Sequence, residues 1–77
     1  MVKTNKLQGK MKEHGYTIQS LADEINVSRA TLFNKIHNVT EFSAGEIMEI
    51  GKILMLNYVE IQKIFFAKES DLKSTNL

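Results

Sequence analysis

Residues 17–38, TIQSLADEINVSRATLFNKIHN, constrain this chain more than any other stretch. Thr17 offers a hydroxyl cap, and Ile18 to Ile25 follow without a helix breaker. Leu21 and Ile25 share one face, and Ala22 beside them is small enough for another helix to approach. Asn26 then stops the helix, because Asn tolerates the left-handed conformation better than any residue except Gly. Val27 returns to the core, and Ser28 caps a second helix from Arg29 to about His37. Leu32 and Ile36 face inward on it. Ala30, Asn34 and His37 face outward, with Arg29 and Phe33 on the border. Two short helices joined by so tight a turn suit few tasks in a small protein. Entry into a DNA major groove is the commonest.

The rest of the chain reads as three more helices. Helix 1 is expected from Thr4 or Asn5 to His14, with Leu7 and Met11 inward and Gly15 as its left-handed stop. Ser43 and Glu46 form an S-x-x-E capping box for helix 4, which carries Ile47, Ile50, Ile53 and Leu54 and ends near Met55 or Leu56. Asn57 and Glu60 repeat that logic for helix 5, apolar nearly all round toward its end. Residues 59–66 are also β-branched and aromatic enough to pair as an edge strand, with 64–67 the most ambiguous. The expectation is one all-α five-helix domain over 1–77, with an ordered core at about 4–66 and a polar tail at 67–77.

Composition narrows the function. There is no cysteine among the 77 residues, so disulfides and cysteine metal sites are excluded, in keeping with a reducing cytoplasm. No apolar run is long enough for a membrane span, and no signal peptide is apparent. His14 and His37 share no ligand spacing and no Gly-rich phosphate loop exists, so no catalytic residue, metal, cofactor or small-molecule substrate is expected. Net charge is only +1, but residues 1–40 hold six basic and three acidic residues, whereas 41–77 hold four and six. The two-helix unit lies in the basic half.

The stretch from Tyr16 to Phe42 resembles the helix-turn-helix of phage Cro and lambda-type repressors, the XRE group. Thr17, Leu21, Ala22, Ile25, Val27, Ser28, Arg29, Leu32 and Ile36 carry the likeness, and helices 1 and 4 extend it over roughly residues 4–56. The closing IFFA is similar to small phage-encoded members. The resemblance implies a compact lambda repressor-like domain, usually a homodimer, whose third helix reads double-stranded operator DNA as a transcriptional regulator. Asn26 stands where the family commonly has Gly, and Ile18 where it commonly has Gln. The loop Asn38, Val39, Thr40, Glu41 lacks the usual basic residue.

Roles follow from side-chain chemistry. Arg29 suits guanine O6 and N7 or a phosphate, Ala30 a thymine methyl, and Asn34 adenine N6 and N7. Phe33 suits thymine methyls or partial burial under helix 4. Thr17 and Ser28 are caps whose neighbouring amides suit phosphate, and Gln19, Lys35 and His37 are expected backbone contacts. On helix 5, Tyr58, Val59, Ile61, Ile64, Phe65 and Phe66 exceed what one helix can bury here, and Tyr58, Ile61, Phe65 and Phe66 are expected to form a dimer contact. Two other readings stay open. One is a protein-interaction module on a helix-turn-helix scaffold that holds another regulator, and the other an antitoxin.

Overall fold

Helix ends organise this molecule. The computed structural model describes residues 1–67, and these form α1 (Thr4–Glu13), α2 (Ile18–Glu24), α3 (Arg29–Ile36), α4 (Ala44–Ile53) and α5 (Tyr58–Phe65). Each helix after α1 starts on a side-chain cap. Thr17, Ser28, Ser43 and Asn57 each accept from the backbone N–H three residues on. Ser20, Glu46 and Glu60 reach back to the cap amide, which completes a capping box on α2, α4 and α5.

The first four helices also stop in one way. Gly15, Asn26, Asn38 and Met55 take positive φ of 77°, 59°, 64° and 54°. After each, the next amide bonds back five residues: Tyr16 to Met11, Val27 to Ala22, Val39 to Asn34 and Leu56 to Gly51, all at 2.8–3.0 Å. This is the Schellman arrangement, and it satisfies carbonyls that a helix end leaves open. Tyr16, Val27 and Leu56 then pack on the core, whereas Val39 stays exposed.

These ends reverse the chain often enough for short helices to enclose one core. Leu7, Leu21, Leu32, Ile36, Ile50 and Leu54 are fully buried. Burial of each contributes about 1.5–3 kcal/mol relative to exposure. Gly51 lets α5 approach α4 closely, because a Cβ there would meet Ile61 Cδ1 at 3.0 Å. Phe42 anchors the loop after α3 by its edge-to-face contact with Phe65, ring centres 5.3 Å apart.

The N-terminal residues stitch the helix ends together. The Asn38 side chain accepts from Val2 N–H at 2.7 Å and donates to Val2 C=O at 3.0 Å. The Thr4 hydroxyl donates to the Ile36 carbonyl, and the Lys3 amide to the Ile64 carbonyl, both at 2.7 Å. Val2 and Ala67 are both buried, so buried side chains lie just outside the 4–66 stretch expected as the core. Past Ala67, the expected polar tail falls outside the described residues.

Several expectations change in detail. α1, α2 and α3 stop one residue early, with His14, Ile25 and His37 as C-caps, and α4 stops at Ile53 rather than near Met55 or Leu56. The strand reading of 59–66 is not adopted: the chain is helical to Phe65. Phe65 does not join a surface contact, because it is 4% exposed and turned inward on Phe42. Ile61 is half-buried against Gly51. Tyr58 and Phe66 are exposed, together with Val59.

Met55 pays a steric cost in the left-handed region that glycine avoids. Its side chain is 77% exposed, so its loss costs little packing. Met55→Gly is therefore expected to stabilise the fold by roughly 0.5–1 kcal/mol, net of the greater chain entropy of glycine when unfolded. Urea unfolding measures it, and equal or lower stability would show that this end is unstrained.

Candidate nucleic-acid interface

Four residues separate α2 from α3, and each has a local task. Ile25 caps α2 and is buried, Asn26 makes the left-handed turn, Val27 packs on the core, and Ser28 starts α3. Leu21 and Ala22 of α2 and Leu32 and Ile36 of α3 are all fully buried in the same core cluster. That seam fixes the inner side of α3 and leaves its other side to solvent.

Arg29, Ala30, Thr31, Phe33 and His37 are exposed on that outer side, and Asn34 is half-buried. Arg29, Ala30, Phe33 and Asn34, the expected base-reading residues, therefore share one accessible surface. Phe33 is not tucked under α4: its ring lies 4.3 Å from the His37 ring at a 39° tilt. Together they cover the C-terminal end of the face with flat, weakly polar surface. The Asn34 carbonyl accepts from Val39 and Thr40, so the loop after α3 is held against the end of the helix.

The N-terminal ends of α2 and α3 are both capped. Ser28 Oγ accepts from the Thr31 amide at 3.1 Å and donates to the Thr31 hydroxyl at 2.9 Å. Thr17 Oγ1 accepts from the Ser20 amide at 3.0 Å. Gln19 lies exposed in the first turn of α2, and its amide donates to Asp23 at 2.9 Å.

Lys35 is placed differently from the other expected backbone contacts. Its Nζ lies 2.7 Å from both carboxylate oxygens of Glu46 on α4. The two side chains are only 17% and 15% exposed. Glu46 also accepts from the Ser43 amide at 2.8 Å. Burial pushes the Glu46 carboxyl up, but the Lys35 and Ser43 hydrogen bonds outweigh it and leave it below its ordinary value of 4.5. Lys10, also in the basic half, is bound to Glu60 at 2.7 Å. Arg29 makes no ion pair among the described residues, which leaves it the one unpaired basic side chain of α2 and α3 there.

Thr31 and Glu46 were not singled out as functional from the sequence. Thr31 carries a signal, since a hydroxyl three residues after a capping Ser lies within reach of that Ser's own hydroxyl. The Lys35–Glu46 pair carried none, because it joins two helices across a loop. Among the described residues no group of acids and histidines is placed to hold a metal, and no helix is long and apolar enough to cross a membrane.

A family model described as the Cro/C1-type HTH DNA-binding domain matches residues 6–64. No curated protein and no solved structure matches the chain.

The Glu46 and Glu60 carboxyls both titrate lower in the folded chain, Glu60 chiefly through its hydrogen bond from Lys10. The unfolded chain therefore takes up protons first. The stability these groups add is complete above 4.5, their ordinary value, and is lost as pH falls through the folded values. Urea midpoints are expected to hold from neutral pH down to that point and to decline below it. A Lys35→Met variant should decline less. Equal acid sensitivity in both would mean that Lys35 does not hold Glu46 in the ionised form.

Proposed function

The chain belongs to the Cro/C1-type HTH DNA-binding domain family, and we propose that it is a sequence-specific transcriptional regulator whose α3 reads operator DNA in the major groove. DNA binding and a regulatory role follow from the family. The identity of the reading residues and the assembly are this proposal. The observation that carries it is the outer side of α3. It presents Arg29, Ala30, Thr31, Phe33 and Asn34, while Leu32 and Ile36 fix the helix from behind.

In this reading Arg29 forks onto guanine or holds a phosphate beside it, and Asn34 pairs with an adenine edge. Ala30 and Phe33 meet thymine methyls, which gives apolar discrimination without charge. The capped N-terminal ends of α2 and α3, with Thr17, Ser28 and Gln19, set the register on the sugar-phosphate backbone. His37 reaches the backbone at the far end of α3. Lys35 is left out of this set, because it is engaged with Glu46.

We further propose a homodimer through α5. Tyr58, Val59 and Phe66 are large, exposed and apolar on this short helix, which supports a contact between copies. Two copies related by a twofold axis would set their α3 helices about 34 Å apart, one turn of duplex. The protein-interaction reading draws on the same apolar side, but leaves the exposed Arg29 and Asn34 without a task.

Selection from random duplexes is expected to yield a palindrome with half-sites one turn apart. On that site, Arg29→Ala and Asn34→Ala should each cost about 1–3 kcal/mol and relax specificity at one position. No enrichment by the wild type would favour the interaction module, and unchanged binding by both variants would sink the assignment of these readers. For the assembly, Val59→Glu is expected to leave the fold intact and shift sedimentation from dimer to monomer. A wild type that is monomeric on DNA would refute the α5 contact.

A further inference from the structure

We propose that Glu46 is a positioning residue that sets the strength and salt dependence of DNA binding by withholding Lys35, the only lysine of the recognition helix, from the DNA phosphates. This rests on the DNA-reading function above. Three observations carry it. Lys35 lies on α3 between the proposed reader Asn34 and the proposed backbone contact His37, so a freed ammonium on its long stem starts beside the surface that meets the duplex. Both Glu46 oxygens lie 2.7 Å from Nζ, and little of either side chain is exposed. Glu46 is itself held by its capping bond to the Ser43 amide, so it does not swing away with the lysine.

The consequence is electrostatic. Each lysine that neutralises a phosphate adds sequence-independent affinity and steepens the salt dependence by about 0.9. A lysine held by a carboxylate adds neither. With Lys35 withheld, α3 meets DNA with Arg29 as its unpaired cation among the described residues, and more of the binding comes from base edges. Binding to the operator and to a random duplex is weakened alike, and the salt dependence is shallower on both.

The substitution Glu46→Gln isolates the charge. A glutamine at the third helical position still completes the capping box, so α4 keeps its start. Binding of the full chain is measured on the selected operator and on a random duplex, over a series of salt concentrations. The variants are E46Q, K35M and the E46Q/K35M pair, each checked for helix content and melting. E46Q should bind both duplexes more tightly, with a salt slope steeper by about 0.9 on each. K35M should keep the wild-type slope, and the double variant should return to it. A folded E46Q with an unchanged slope overturns the proposal. So does a K35M slope shallower by about 0.9, which would mean that Lys35 already holds a phosphate in the wild type. Should E46Q fail to fold, the K35M slope decides alone. Absence of any operator binding by the wild type would instead refute the DNA-reading function.

Discussion

Burial of Leu32 and Ile36 against the small face of α2 is the interaction on which the rest depends. A recognition helix must be rigid from behind and clear in front. Those two side chains are wholly removed from solvent, and Ala22 lets the two helices close on each other. An eight-residue helix is too short to persist alone in water, so packing and caps supply what length does not. Ser28 holds one end of α3 and the Asn38 turn the other. The outer residues then carry no structural duty beyond the Thr31 bond to Ser28, and are available for contact.

Local features were readable in the sequence because their physics is local. The caps at Thr17, Ser28, Ser43 and Asn57 and the left-handed stops at Gly15 and Asn26 each depend on a few neighbouring residues. Leu7, Met11, Leu21, Leu32, Ile36, Ile47, Ile50 and Leu54 were placed inward by spacing alone, and they are buried. Features that join distant segments were not readable. Nothing near Val2 announces that Asn38 will clamp its backbone, and nothing near Lys35 announces Glu46. On α5, apolar residues surround the helix, so spacing did not separate inside from outside. The fold did, by turning Phe65 onto Phe42 and leaving Val59 and Phe66 to solvent.

Charge shows the same division. The basic first half and acidic second half look like a cationic binding half and a neutral remainder. Folding sets them against each other instead: Lys10 meets Glu60 and Lys35 meets Glu46. Both acids come from capping boxes, so each does local work at a helix start and distant work on a lysine. The positive field left for a polyanion is smaller than the residue count suggests. Under the proposed reading, recognition then leans on shape and on hydrogen bonds to base edges.

The Asn38 clamp has a kinetic consequence. The caps and left-handed stops involve residues only a few positions apart, so they form with little loss of chain entropy. The clamp joins residues 36 apart, and the Thr4 bond to Ile36 joins residues 32 apart. Those bonds wait on the docking of the helices between them, and Val2, which carries the clamp, is then buried in the core. The far end of the recognition helix is thus closed by contacts that follow the local caps rather than form with them.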